Sequence, residues 1–165
     1  MKKIKAKKLS MEAFSPYGQY ADLLNPSGFY VGPWEHAFFP DRFVFNYESN
    51  AATGICVSQV HKRPNIVDTA EFHRYTGEVL MPIDGDIVID VCRPSGSDQP
   101  AYDEFEAFVI PAGTAVVLKT GVWHYAAYPC TADKVNILTL LPERTYANDC
   151  VVVSIPEGER FEIEL

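Results

Sequence analysis

The chain has 165 residues, 47% of them hydrophobic and 22% charged, and carries a formal net charge of −8 at pH 7. These proportions are those of a soluble globular protein and leave no ground for a disordered, collagen-like or coiled-coil chain. The negative balance works against binding to nucleic-acid phosphates or to anionic lipid, and the length suits one domain over residues 1–165 with a sizeable core.

At the start, Lys2, Lys3, Lys5, Lys7 and Lys8 alternate with Ile4 and Ala6. That pattern fits an edge strand guarded by solvated lysines better than a nucleic-acid arm. No continuous apolar stretch of a secretory signal stands in residues 1–10, and no run of 18 apolar residues occurs anywhere, so a cytoplasmic protein without a membrane partner is expected. Ser10 is placed to cap a short helix through Met11, Glu12, Ala13 and Phe14, which Pro16 limits.

Beyond Phe29 the pattern is one of strands. Phe43–Tyr47, Ile55–Val60, Glu78–Met81, Asp86–Val91, Ala107–Ile110, Ala115–Leu118, Val135–Leu140 and Val151–Ser154 are rich in β-branched and aromatic residues. Turn signals separate them at Ala52–Gly54, Tyr75–Gly77, Ile83–Gly85, Pro94–Ser97, Pro111–Gly113 and Thr120–Gly121. Short strands with short connections, and no alternation with long helices, predict a mainly β fold, an antiparallel sandwich or barrel. Trp34, Trp123 and the phenylalanines are assigned to its core. Cys56, Cys92, Cys130 and Cys150 form no C-x-x-C pair and read as reduced, buried small residues.

The densest cluster of chemistry is Glu71-Phe-His73-Arg-Tyr-Thr-Gly-Glu78, followed after six residues by Gly85. Glu71 and His73, two apart, share one face of a strand, and after the Tyr75–Gly77 turn the chain can bring Glu78 back to them from the neighbouring strand. A later stretch, Lys119-Thr-Gly121-Val-Trp-His124, adds a second histidine beyond a glycine turn. Two imidazoles and one or two carboxylates are the ligand types of a borderline divalent metal such as Ni, Zn, Mn or Fe. His36 and His61 lack such company and are read as structural or rim residues.

His73-x4-Glu78-x6-Gly85 resembles the first cupin motif, and Gly113-x7-Gly121-x2-His124 the second. Cupins normally open the first motif with His-x-His where this chain has Glu71-x-His73, and carry proline at the position of Lys119. Over nearly the whole length the chain is similar to the ureidoglycolate lyase family. The similarity rests on Met11–Gly18, Glu71-x-His73 leading to Met81-Pro82 and Gly85, Gly121–His124, Arg144, Asn148–Cys150 and Ser154–Glu157. Glu78 stands where that family usually carries Gln, and Tyr125 where a second His usually follows His124.

The resemblance implies a cupin double-stranded β-helix, an antiparallel jelly-roll barrel with a short N-terminal helix. It also implies an enzyme, a lyase splitting ureidoglycolate or a similar small hydroxy acid into glyoxylate and urea. The implied metal ligands are Glu71, His73, Glu78 and His124, of which His73, Glu78 and His124 are also catalytic, with Ni, Zn or Mn as the cofactor. A small carboxylate substrate needs a cation, for which Lys119, Arg74 and Arg144 are the candidates, with Lys62 and Arg63 as further choices. Many small cupins pair through sheet edges, so a homodimer joined along the apolar Val151–Val153 strand is expected. A noncatalytic ligand-binding cupin, and another cupin enzyme such as an isomerase or a metal-dependent oxygenase, are the alternatives.

Overall fold

Pro26, Pro33 and Pro40 punctuate the first third of the chain, and strand pairing becomes dense only after residue 52. In the computed structural model, residues 1–47 and 49–165 are described. The strands in chain order are β1 Lys2–Lys5, β2 Lys7–Lys8, β3 Gly18–Asp22, β4 Thr53–His61, β5 Ile66–Val67, β6 Thr69–Phe72, β7 Glu78–Pro82 and β8 Ile87–Cys92. They continue with β9 Glu106–Ile110, β10 Thr114–Leu118, β11 Trp123–His124, β12 Tyr128–Pro129, β13 Lys134–Pro142, β14 Val151–Ser154 and β15 Phe161–Glu164. Two one-turn α-helices, α1 Met11–Phe14 and α2 Thr145–Asn148, and two 3-10 turns, Trp34–His36 and Glu157–Glu159, complete the regular structure of the described residues. As predicted, Ser10 caps α1, its hydroxyl accepting the Ala13 N–H at 3.1 Å.

The strands form a five-stranded sheet in the order β3-β10-β7-β13-β4 and a larger sheet in the order β14-β6-β11-β8-β9-β2, with β12 also on β8. A small third sheet runs β1-β15-β5. Apart from the parallel pairs β1–β15 and β2–β9, the ladders are antiparallel. The fold is thus mainly β, in a jelly-roll arrangement. The lysine-rich start sits at sheet edges, where Lys3 meets Glu164 and Lys7 meets Glu106, each at 2.7 Å. These pairs are exposed, so solvent screening leaves them little weight in stability.

Two apolar clusters explain the layering. Leu80, Val116, Leu118, Val135 and Ile137 of the five-stranded sheet pack with Ile87, Ile89, Val91, Phe108 and Ile110 of the larger one. Val88, Cys92, Ala107 and Trp123, on the larger sheet's other face, pack with Phe161 and Ile163 of the third. β8 is therefore covered on both faces, and all six of its residues are buried. This accounts for a strand that reads as a continuous apolar run instead of an alternating one.

Three expectations fail. Phe43–Tyr47 forms no strand: Phe45 instead packs beside Gly77 and edge-on to Tyr47 at 4.7 Å between centroids. Trp34 is 73% exposed, whereas Trp123 is fully buried. Both follow from the connection between β3 and β4, where prolines remove ladder donors and Gly28 and Gly32 take left-handed backbone, with φ of 93° and 95°. The four cysteines are unpaired as expected, but Cys56 is exposed.

Asp90 is the exception within β8. It is fully buried, and neither carboxylate oxygen has a hydrogen-bond partner among the described residues. Burial pushes its pKa up to about 7, against the opposing charges of His124 and Arg63. In the unfolded chain the same group ionises near 3.8, so the folded state binds its proton more tightly. Its contribution to stability is fully present below that value and is lost as pH rises toward about 7. Asp90→Asn is accordingly expected to raise the melting temperature at pH 8 and to change it little at pH 4. A difference independent of pH would show that Asp90 is not the titrating group.

Candidate metal centre

The cluster forms where two glycine turns meet. β6 ends at Phe72 and the chain turns through Arg74–Gly77 into β7, while β10 ends at Leu118 and turns through Lys119–Gly121 into β11. The Gly121 N–H donates to the His73 carbonyl at 2.9 Å, tying the turns together. Gly121 has φ of 80°, which only glycine adopts cheaply, and a β-carbon on Gly77 would run into the Leu118 carbonyl.

The ladders then fix the side chains. Glu71 lies opposite His124 in the β6–β11 pair. Glu78 opens β7, opposite Leu118 in the five-stranded sheet. It therefore reaches the histidines across the interior from the facing sheet, and not, as the hairpin reading has it, from a neighbouring strand. One of its oxygens, Oε2, stands 2.8 Å from His124 Nε2 and 3.2 Å from His73 Nε2. The imidazole centroids are 5.4 Å apart. Ligand atoms of Glu71, His73 and His124 all lie within 4.8 Å of one another.

Each histidine is oriented by a backbone carbonyl. His73 Nδ1 donates to the Asp149 carbonyl at 2.6 Å and His124 Nδ1 to the Val122 carbonyl at 2.9 Å. With both Nδ1 atoms engaged, both Nε2 atoms are turned inward, the orientation that metal-binding imidazoles require. The Cys150 thiol donates to Glu71 Oε2 at 3.3 Å, and Glu71 Oε1 is 3.9 Å from His124 Nε2. Burial and the Glu71 charge push the Cys150 thiol up to about 12, so it remains a donor.

His73, Glu78 and His124 are buried and Glu71 half-buried. Burial alone would raise the Glu78 carboxyl and lower the His124 imidazole. The hydrogen bond and charge attraction between them override this, holding Glu78 at about 2 and His124 at about 9. Without a metal, the centre is a buried carboxylate compensated by an imidazolium. A cavity of about 110 Å³ opens onto it, with Ser58, Glu71, Glu78, His124 and Tyr125 as its polar lining and Val60, Leu80 and Ile137 among its apolar walls. A larger groove of about 510 Å³ bordered by Lys8, Asp22 and Asp86 contains no histidine.

The expected substrate cations lie elsewhere. Lys119 follows the end of β10, and its ammonium donates to the Ser15 carbonyl at 2.6 Å. Arg74 pairs with Asp98 at 2.8 Å, and Arg144 with Glu143 at 3.2 Å. Arg63 donates to the carbonyls of Ala126 and Ala127 behind the cavity wall and stacks on Tyr128. None of these four side chains lines the cavity, nor does Lys62. His36 and His61 stay outside the cluster as expected. Sequence reasoning gave no role to Asp149 or Cys150, since a backbone carbonyl leaves no side-chain signature and one thiol among four has no spacing to mark it.

A protein-family model described as ureidoglycolate lyase matches residues 1–163. Among curated relatives, the ureidoglycolate lyase of Rhodobacter capsulatus is 26% identical over 134 residues, covering 80% of this chain and 82% of that protein. The ureidoglycolate lyase of Escherichia coli K12 is 24% identical over 159 residues, covering 95% and 97%. Among solved structures, oxalate decarboxylase from Bacillus subtilis aligns with a TM-score of 0.45 at 18% identity over 68% of this chain, which spans 28% of that longer one.

Removing one member of a buried ion pair costs about 3–5 kcal/mol, because the other charge is stranded. His124→Ala should therefore sharply lower the urea midpoint of the metal-free protein, and adding Glu78→Gln should restore most of the loss. Equal destabilisation in single and double variants would assign the effect to packing instead of to the Glu78 charge.

Proposed function

Because the chain belongs to the ureidoglycolate lyase family, we propose that it is a metal-dependent lyase that splits ureidoglycolate into glyoxylate and urea. The observation that carries this reading is the meeting of Glu71, His73, Glu78 and His124, three of which (Glu71, Glu78 and His124) line one cavity, in a chain that the family model matches over residues 1–163. In this reading the four act within one cupin-type domain over residues 1–165, cytoplasmic and homodimeric. Four unpaired cysteines suit a reducing compartment. β14, at the edge of its sheet with Val152 53% exposed, suits the pairing.

Mixed imidazole and carboxylate donors with both Nδ1 atoms already committed fit a divalent ion such as Ni, Zn or Mn. Glu71 and the Nε2 atoms of His73 and His124 would hold it, and Glu78 is close enough to join them. When bound, the ion supplies Lewis-acid polarisation of the substrate hydroxyl. The chain's own part is acid–base work: the hydroxyl proton leaves, a carbonyl forms as the carbon–nitrogen bond breaks, and the departing urea nitrogen gains a proton. Glu78, in the cavity wall, takes the hydroxyl proton and returns one to the nitrogen. Ser58 and Tyr125 offer neutral hydrogen bonds to the rest of the substrate.

One observation favours a second reading. Among the described residues no lysine or arginine lines the cavity, so a substrate carboxylate finds no such counter-charge from them. A binding cupin, or a relative with an altered substrate, would have no need of one.

Two measurements separate these readings. Adding Ni, Zn or Mn to the metal-free protein is expected to raise its melting temperature, as any ligand specific for the folded state must, and His73→Ala with His124→Ala should abolish the shift. The loaded protein should release glyoxylate from ureidoglycolate above the spontaneous rate. Loss of Glu78 should cost about 10²–10⁴-fold, the range of positioned acid–base catalysis. A metal-induced shift without turnover would favour the binding reading; no shift with any of the metals would remove the metal.

A further inference from the structure

The dipeptide Asp149–Cys150 lies behind the centre, outside the space between its ligand atoms, and bonds to the far sides of His73 and Glu71 and to the turn after His73. It joins α2 to β14, and β14 is locked to β6 in the register Val151–Phe72 and Val152–Glu71. That ladder holds Asp149 and Cys150 next to the residues that follow Phe72. The Asp149 carbonyl accepts His73 Nδ1–H at 2.6 Å. The two oxygens of its side chain accept the N–H groups of Arg74 at 2.7 Å and Tyr75 at 2.9 Å, fixing the turn that leads to Glu78. The Cys150 thiol occupies Glu71 Oε2 at 3.3 Å, leaving Oε1 as the oxygen that faces His124.

We propose that Asp149–Cys150 is a positioning clamp that presents His73 through Nε2 and Glu71 through one oxygen, and so sets the metal affinity of a site it does not touch. Each contact has a separate chemical effect. The carbonyl on Nδ1 selects the imidazole tautomer with its lone pair on Nε2 and makes that nitrogen a better donor. The thiol on Oε2 prevents Glu71 from binding with both oxygens. The Asp149 carboxylate holds the turn, and with it the carbonyl, in place.

The inference rests on the metal reading above, and its test separates the two. Metal binding by calorimetry, with melting temperature measured in parallel, is compared across wild type, Cys150→Ala, Cys150→Ser, Asp149→Ala and Asp149→Asn. Loss of an outer partner of a metal ligand typically costs 10–100-fold in affinity. A loss of about that size is expected in Cys150→Ala and Asp149→Ala, with Cys150→Ser close to wild type because it keeps the donor, and Asp149→Asn intermediate. Should an alanine variant fail to fold, the serine and asparagine variants carry the same comparison. Lower melting temperatures with unchanged affinity would overturn the proposal, leaving the dipeptide a purely structural tie. If wild type binds none of the metals, the metal reading fails by itself, and imidazole ¹⁵N spectra of the metal-free protein decide on the clamp. His73 protonated at Nδ1 in wild type, with that signal shifted in Asp149→Ala, supports it; an identical spectrum in the variant overturns it.

Discussion

A carboxylate from one sheet held between two imidazoles from the other is the constraint around which the rest of the structure is arranged. Glu78 is anchored in the five-stranded sheet, while His124 sits on β11 and His73 just past β6 in the facing one. A charge this deeply buried is tolerated only when opposite charge and hydrogen-bond donors reach it at short range. The 2.8 Å bond from His124 Nε2 to Oε2 meets that condition, and with His73 Nε2 3.2 Å away on the other side it fixes the relative position of two sheets that are otherwise joined by nondirectional apolar packing. The bond between the His73 and Lys119–Gly121 turns, and the glycine at 77, allow the approach.

The other face of the larger sheet has a different character. There the third sheet covers Val88, Cys92 and Ala107 with Phe161 and Ile163, and Asp90, on the same strand as Val88 and Cys92, has no hydrogen-bond partner among the described residues. Glu78 and Asp90 are both buried carboxyls, displaced in opposite directions from their ordinary values. What separates them is the presence or absence of an imidazole within hydrogen-bond reach.

Much of this was legible in the sequence because strands, turns and ligand types are local properties. The alternation in Val135–Leu140, the apolar run Ile87–Cys92 and the glycine turns all lie within a few residues, and so does the Glu71, His73 and Glu78 grouping. What escaped notice depends on where a segment ends in space. Only four residues separate His73 from Glu78, a spacing that reads as a hairpin, yet the turn carries the chain into the facing sheet. Lys119, close before His124 in sequence, is the expected cavity cation, but its N–H bonds to the Tyr17 carbonyl and its ammonium to the Ser15 carbonyl, taking the side chain toward α1. Phe43–Tyr47 has strand composition but lies in the proline- and glycine-punctuated connection between β3 and β4, where it joins no ladder. Asp149 and Cys150 act through a main-chain oxygen and a hydrogen bond to a side chain 79 positions away.

Those separations bear on how the chain reaches its folded state. Glu78 meets His124 across 46 positions, and His73 meets Asp149 across 76. Closing such long loops is slow, and chains dominated by distant pairings fold late and cooperatively. The ligand set cannot assemble in a partly formed hairpin, so an ion finds no comparable site until β6, β7 and β11 have come together. During folding, metal capture would therefore be the last event and would act on the unfolding rate rather than on the folding rate. A cell short of the ion would still fold the protein, but would lose it sooner to proteolysis.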